Sequence, residues 1–404
     1  MSAELDFTSS LYLDLRHPSA SLRGWTQLTA GVPAALGMPD GARRVGARLA
    51  ELVGCDRASL FPSTLHALWD LFGWLCARAG PHERTELMRP ALERGRAALL
   101  VDGGAYPVAL WGVERAVARG ARAARFAHHH PPSLRGAIAR AGANGARPIV
   151  VTDGFCPSCG EPAPLDAYLA IVRARGGLLV VDDTQALGVL GSPALGAPYG
   201  AGGGGSLRWH GIGGDDVIAV ASLAKAFGAP LAAVCGAHAR IRAFERGSET
   251  RVHASTVSAA AVSAAEAALD ANDAAGDARR RALHDAVASF RDALRERGLS
   301  ASGGAFPVQA VRAPPGVDPI ALYERLLQRG VRAVLLGAGC SRAPRREARI
   351  GFVLRAGIPR ASLARAVDEI AACARRAARH RDTSIRNESR VDFRREGERH
   401  VEIA

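Results

Sequence analysis

A chain of 404 residues is long enough to bury a large core and to divide into two unequal domains. Its 48% hydrophobic content with only 5% aromatics suits a soluble, alanine-rich α/β protein. The net charge of +13 raises nucleic acid or acyl-CoA phosphates as partners, but arginine is spread along the whole chain and the stretch after Arg375 mixes it with acids, so no nucleic acid is expected.

In chain order, residues 1–40 read as an irregular N-terminal segment with short extended pieces at Asp6-Phe-Thr-Ser-Ser and Tyr12-Leu-Asp-Leu. Met1 to Leu13 lacks a basic stretch followed by an apolar one, which points to a cytoplasmic location. Apolar spacing predicts a helix from about Ala42 to Val53, a strand at Ala58–Phe61 and a helix from Thr64 to about Ala77. Strand-like runs then recur at Ala97–Val101, Ala121–Phe126, Pro148–Thr152, Leu178–Asp182 and Val217–Ser222. Helical patterns at Pro107–Arg119, Ser133–Ala141 and Leu165–Arg175 separate the earlier of them. Such alternation predicts a mainly parallel sheet covered on both faces, a three-layer αβα domain over 41–290. Gly200 to Gly214 is expected to be a mobile surface connection. Ser258–Arg297 reads as a helix leading into a smaller α+β domain, 291–378, with strands near Phe306–Val311 and Arg349–Val353 and a last helix at Arg360–Ala378. A charged, disordered tail is expected over 379–404.

No apolar run approaches the roughly eighteen residues that cross a bilayer, so no membrane partner is expected. Seven scattered cysteines, an odd number, argue against a disulfide framework. Cys156-Pro-Ser-Cys159 has the spacing of a redox or zinc half-site, but no second pair follows, and no metal is expected.

The chain contains a single lysine, Lys225, among 52 Lys and Arg residues. A guanidinium stays protonated, whereas a desolvated ammonium can lose its proton and attack a carbonyl. One lysine therefore marks a position that requires amine chemistry, or else a chance survivor on the surface. Its context favours the first. Lys225 follows the apolar run Val217–Ser222, and turn residues Ala226-Phe-Gly-Ala-Pro come next. The carboxyl end of a buried strand is where α/β sheets place their ligands.

Asp182 ends the run Leu178-Leu-Val-Val and should emerge at the same edge, as an electrostatic partner or as a cap of the following turn. Ser63 and Thr64 precede a helix whose first amides, including that of Leu65, suit a phosphate. Ser222 lies three residues before the lysine, and Ser255-Thr256 follows a strand-like stretch at Thr250–Ala254.

In this order the segments resemble the α-oxoamine synthases, the 8-amino-7-oxononanoate synthase-like group of fold-type I pyridoxal-phosphate (PLP) enzymes within the class I/II aminotransferase superfamily. The resemblance spans about residues 5–378. Val151 to Leu165 is similar to the family's loop beside the cofactor, and Val181-Asp-Asp-Thr-Gln-Ala to its Asp-[Asp/Glu]-Ala-His segment. Ser222-Leu-Ala-Lys-Ala-Phe-Gly228 is similar to its Schiff-base lysine motif, and Val252 to Thr256 to the stretch that reaches the other subunit's phosphate.

The resemblance implies an aspartate aminotransferase-like fold with Lys225 as the Schiff-base lysine and Asp182 on the ring nitrogen. Ser222 and the Ser63, Thr64 and Leu65 turn would hold the phosphate, completed by Ser255 and Thr256 from the second subunit of a homodimer. Arg349 would receive a substrate carboxylate. The implied activity is decarboxylative condensation of an amino acid with an acyl-CoA, with aminotransferase or retro-aldol chemistry, or a catalytically inactive PLP-fold binding protein, as alternatives.

Tyr106 and Gln185 occupy positions where the family has histidines, and Pro157 stands for its loop serine. The glycine-rich stretch lengthens the connection before Lys225, and Gly337-Ala-Gly-Cys-Ser matches the family's small-domain loop poorly.

Overall fold

The computed structural model describes residues 4–76, 97–142, 145–315, 317–336 and 348–384. The chain divides into two compact units. The larger holds Leu13–Cys156 and Pro162–Arg280, and the smaller holds Met1–Tyr12, Pro157–Glu161 and Arg281–Ala404. The boundary at Arg280 falls inside a helix rather than at residue 290, and residues 13–40 group with the larger unit.

Seven strands form the central sheet of the larger unit: β1 (Arg57–Phe61), β2 (Ala97–Asp102), β3 (Arg122–Phe126), β4 (Arg147–Asp153), β5 (Leu178–Asp182), β6 (Val217–Ser222) and β7 (Ala232–Gly236). Their spatial order is β1-β7-β6-β5-β4-β2-β3. Strands β6, β5, β4, β2 and β3 pair in parallel, and β7 runs antiparallel to both its neighbours. The expected strands at Leu178–Asp182 and Val217–Ser222 match in both bounds. Strand β7 was not expected, because Ala-Ala-Val-Cys-Gly carries a single β-branched residue and pairing with its neighbours, not propensity, places it in the sheet.

Helices α1 (Asp40–Val53), α2 (Thr64–Cys76), α3 (Pro107–Ala118), α4 (Pro131–Gly142) and α5 (Leu165–Arg173) connect or flank these strands. Alternate residues of the sheet, among them Leu99, Val101, Ile149, Val151, Val180 and Val220, share one core with Leu68, Phe72, Ala109 and Val113 of α2 and α3. Leu179 and Val181 point to the opposite face and are buried as well, so both faces are covered. Each Val, Leu, Ile or Phe among them contributes about 1.5–3 kcal/mol by leaving water.

Two expectations fail here. Gly200 to Gly214 is not an open surface loop: it continues the strand Ala197–Ala201, bridges Gly204 to Leu187 and enters α6 (Ser206–His210). The glycines are there because the backbone is enclosed. A Cβ on Gly204 would collide with the Leu52 carbonyl oxygen, and Gly205 adopts a φ of +84°. Thr250–Ala254 is not a strand either. Its residues enter α8 (Glu249–His253), which follows α7 (His238–Gly247). Ser248 caps α8 by accepting the Arg251 amide, and buried Asp70 accepts the Glu249 amide and the Thr250 hydroxyl. Those local bonds outcompete an extended conformation.

α9 (Ala259–Glu296) leads into the smaller unit. There an antiparallel sheet pairs Ala301–Ser302, Val308–Val311, Arg349–Val353 and Val334–Leu336 in that spatial order. α10 (Pro319–Gln328) and α11 (Arg360–Ser384) belong to the same unit, whose core joins Phe290, Leu322, Phe352 and Val367. α11 runs six residues past the expected end at Ala378, so the expected tail begins as helix. Residues 385–404, and the loop at Gly337-Ala-Gly-Cys-Ser, lie outside the described residues. No described helix is long and apolar enough to cross a membrane.

Candidate active site

Because β1, β2, β4, β5 and β6 all run in one direction, their carboxyl ends share one edge of the sheet. Asp182 is the last residue of β5 and pairs in register with Val220 of β6 on one side and Asp153 of β4 on the other. Lys225 lies in the short link between antiparallel β6 and β7, closed by bonds from the Leu223 amide to the Leu231 carbonyl and from the Gly228 amide to the Lys225 carbonyl. Tyr106 follows β2 and caps α3, its amide donating to Asp153 Oδ1 at 3.2 Å. Its ring centroid is 5.8 Å from Lys225 Nζ.

The lysine is half-buried, and among the described residues its amine makes neither an ion pair nor a hydrogen bond. Burial pulls its pKa below the ordinary value, opposed by the charges of Asp182 and Asp153. Burial likewise raises Asp182, against the bonds from Thr184 and the charge of Lys225. Asp182 Oδ1 accepts the Thr184 amide at 3.1 Å, and the Thr184 hydroxyl accepts the Ser222 amide at 3.1 Å. Thr184 thus ties the strand end bearing the carboxylate to the one preceding the lysine. Gln185 is buried one residue further on.

At the end of β1, Ser63 caps α2: its hydroxyl accepts the His66 amide at 3.3 Å and contacts His66 Nδ1 at 2.9 Å. The amides of Thr64 and Leu65 then belong to the first turn, outside the intrahelical ladder. Ser255 is exposed and bridges Pro33, while Thr256 Oγ1 is buried with no hydrogen-bond partner among the described residues. Neither bonds to Lys225 or Asp182. Arg349 opens a strand of the smaller unit, 5% exposed, with Nη1 donating to the Ser158 carbonyl at 3.3 Å and the Ser302 hydroxyl at 3.2 Å.

These groups fit PLP. An unpaired amine can bond its aldehyde, and an aromatic ring beside that amine can face its pyridine. A buried carboxylate can hold a protonated ring nitrogen, and free first-turn amides suit its phosphate. The orphaned Thr256 hydroxyl adds a donor in want of an acceptor.

A family profile described as aminotransferase class I and II matches residues 114–370. The chain is also 30% identical over 335 residues to the 8-amino-7-oxononanoate synthase of Pseudomonas entomophila, covering 81% of this chain and 77% of that enzyme. The chain belongs to the class I and II aminotransferase family. Within this family of PLP enzymes it is of the α-oxoamine synthase type. It is 33% identical to the Thioalkalivibrio sulfidiphilus 8-amino-7-oxononanoate synthase over 217 residues, which span about half of each chain (54% and 53%). Among solved structures, Sphingomonas wittichii serine palmitoyltransferase shares the fold with a TM-score of 0.74 at 17% identity, covering 92% of this chain and 87% of that one. The Francisella tularensis 8-amino-7-oxononanoate synthase does so at 0.66 and 18%, covering 92% and 98%.

Sequence reasoning passed over Asp153, Thr184 and the buried pair Asp102–His128, although Asp153 and Asp102 carry the signal that singled out Asp182, an acid closing an apolar run.

Proposed function

We propose that this protein is a PLP-dependent acyltransferase that condenses an amino acid with an acyl-CoA thioester, releasing CO2 and CoA, with Lys225 as the residue that holds the cofactor. The observation that carries this reading is the sole lysine of the chain, its amine without an ion pair or hydrogen bond among the described residues, beside the Tyr106 ring and within the electrostatic influence of two buried carboxylates. Relatives named 8-amino-7-oxononanoate synthase support the reaction class.

When bound, PLP supplies an electron sink for the bond broken at the substrate's α-carbon. The chain's own residues do the rest. Desolvation leaves the Lys225 amine neutral at lower pH than usual, ready to act as nucleophile and then as the base that takes the α-proton. Asp182 holds a proton at the ring nitrogen by offering a buried opposite charge. The Thr64 and Leu65 amides, with Ser222 and Ser63, hold the phosphate at the start of α2, and Ser255 and Thr256 complete it from the partner in a homodimer. Exposed Leu65, Trp69 and Trp111 on α2 and α3 supply apolar surface for that pairing. Arg349 receives the substrate carboxylate. The location assigned is the cytoplasm.

Tyr106 and Gln185 favour a second reading, transamination on the same scaffold. Neither side chain exchanges protons near neutrality as a histidine does, so an acid at the thioester oxygen is missing.

The test is borohydride reduction of the yellow protein followed by peptide mapping, which should place the cofactor on Lys225. Amino acids should then be screened with and without acyl-CoA. Acyl-CoA-dependent release of CO2 and free thiol supports condensation. Conversion of a keto acid without thiol release replaces it by transamination, and a protein that takes up no PLP ends both.

A further inference from the structure

Three carboxylates close three adjacent strands: Asp102 on β2, Asp153 on β4 and Asp182 on β5. Asp153 and Asp182 are register partners, and Val101 of β2 pairs with Val151 of β4. All three are buried, with exposures of 1%, 7% and 6%. Such a row can persist only if each negative charge is matched or removed.

Asp102 is matched. Its Oδ1 lies 2.5 Å from His128 Nδ1 and accepts the Gly104 amide at 2.8 Å, while Oδ2 accepts the Tyr168 hydroxyl at 3.0 Å and the His129 amide at 3.1 Å. Burial works against ionisation there, but His128 and the two amides hold the carboxyl below its ordinary range. The charge of Lys225 favours the ionised form of Asp182 although burial raises its carboxyl, and a protonated ring nitrogen would match it if the cofactor is bound. Asp153 has no such match. Its side chain receives one hydrogen bond, from the Tyr106 amide to Oδ1, and among the described residues it forms no ion pair. The charged or titratable groups that interact with it electrostatically are Asp182, Asp102, His128, Tyr106 and Lys225.

We propose that Asp153 is kept as the un-ionised carboxylic acid and is a positioning residue. Its carbonyl oxygen accepts the Tyr106 amide and so sets the ring over the cofactor site, while its neutrality leaves Asp182 as the one anion for the ring nitrogen. The protonation state stands independently of the proposed function; the service to the cofactor rests on it. Burial and the neighbouring Asp182 both drive the Asp153 carboxyl well above the usual range, in keeping with this assignment.

The experiment pairs two readouts on the full chain as purified. In the infrared difference spectrum between wild type and Asp153→Asn at neutral pH, the carbonyl stretch of a protonated carboxylic acid should be present in the wild type and absent from the variant. Carboxylate bands in its place overturn the proposal. PLP titration followed by absorbance should show Asp153→Ala weakened by up to about fivefold through the lost hold on Tyr106, and Asp153→Asn rescued to within about 1.5-fold of wild type, since an amide oxygen accepts the same bond without charge. An Asn variant as weak as Ala means that an anion was needed, and the assignment falls. An acid band in a protein that takes up no PLP keeps the protonation state and overturns the service to the cofactor.

Discussion

The amine of Lys225 stands 5.8 Å from the centroid of the Tyr106 ring, within the distance over which a cation and an aromatic face attract. The ring therefore faces whatever is joined to that amine. Tyr106→Leu removes the face and should weaken PLP binding by about 1 kcal/mol, roughly fivefold, in an absorbance titration. Tyr106→Phe should bind as wild type does. Tyr106→His restores a proton donor and should raise acyl-CoA-dependent thiol release relative to transamination.

Ser63→Ala deletes the hydroxyl that accepts the His66 amide, and the first turn of α2 should fray. A loss of about 1 kcal/mol in urea unfolding is expected. PLP affinity should fall with it, because the Thr64 and Leu65 amides lose their fixed direction. Stability lost with affinity intact would remove this turn from the phosphate site.

Asp183 ties the glycine-rich segment down: its two oxygens accept the Ser206 amide at 3.2 and 2.9 Å. Burial raises its carboxyl from 3.8 to about 7, against the bonds from Ser206. Between those values the folded protein binds more protons at Asp183 than the unfolded chain does. This residue's contribution to stability is therefore full below the unfolded pKa and falls as pH rises towards about 7. Asp183→Asn, which has no proton to lose, should reduce the difference in urea midpoint measured at about pH 5 and about pH 8. An unchanged difference would mean that Asp183 stays ionised throughout.

Gly204→Ala would drive a methyl into the Leu52 carbonyl oxygen and set it 2.6 Å from Arg208 Cγ. Arg208 can swing away, but the carbonyl at the end of α1 cannot, so about 1–3 kcal/mol of stability should be lost in urea unfolding. Gly202→Ala meets nothing within 4 Å but carries a φ of +83°, so it should cost only the strain of that backbone conformation.

How much of this was legible in the residues depends on what holds each element. Strands β5 and β6 are continuous apolar runs buried on both faces, and their bounds were readable to the residue. The positions of Lys225 and Asp182 at one sheet edge follow from those bounds. Strand β7 was hidden because small residues take a strand's conformation only when β1 and β6 pair with both of its edges. The enclosure of Gly200 to Gly214 depends on Leu52 and Asp183, which lie far away in sequence. Asp153 was overlooked for a similar reason. Its charge is conspicuous only beside Asp182, and that adjacency is a matter of strand order.

An amine present once per chain is also a chemical address. A lysine-specific protease finds a single peptide bond to cut in the native sequence, the one after residue 225, and that bond sits in the link between β6 and β7. Resistance to cleavage therefore reports, in one band on a gel, whether that link is closed. An amine-directed dye should mark this side chain and the α-amino group alone, so competition by a ligand can be read without any assay of turnover.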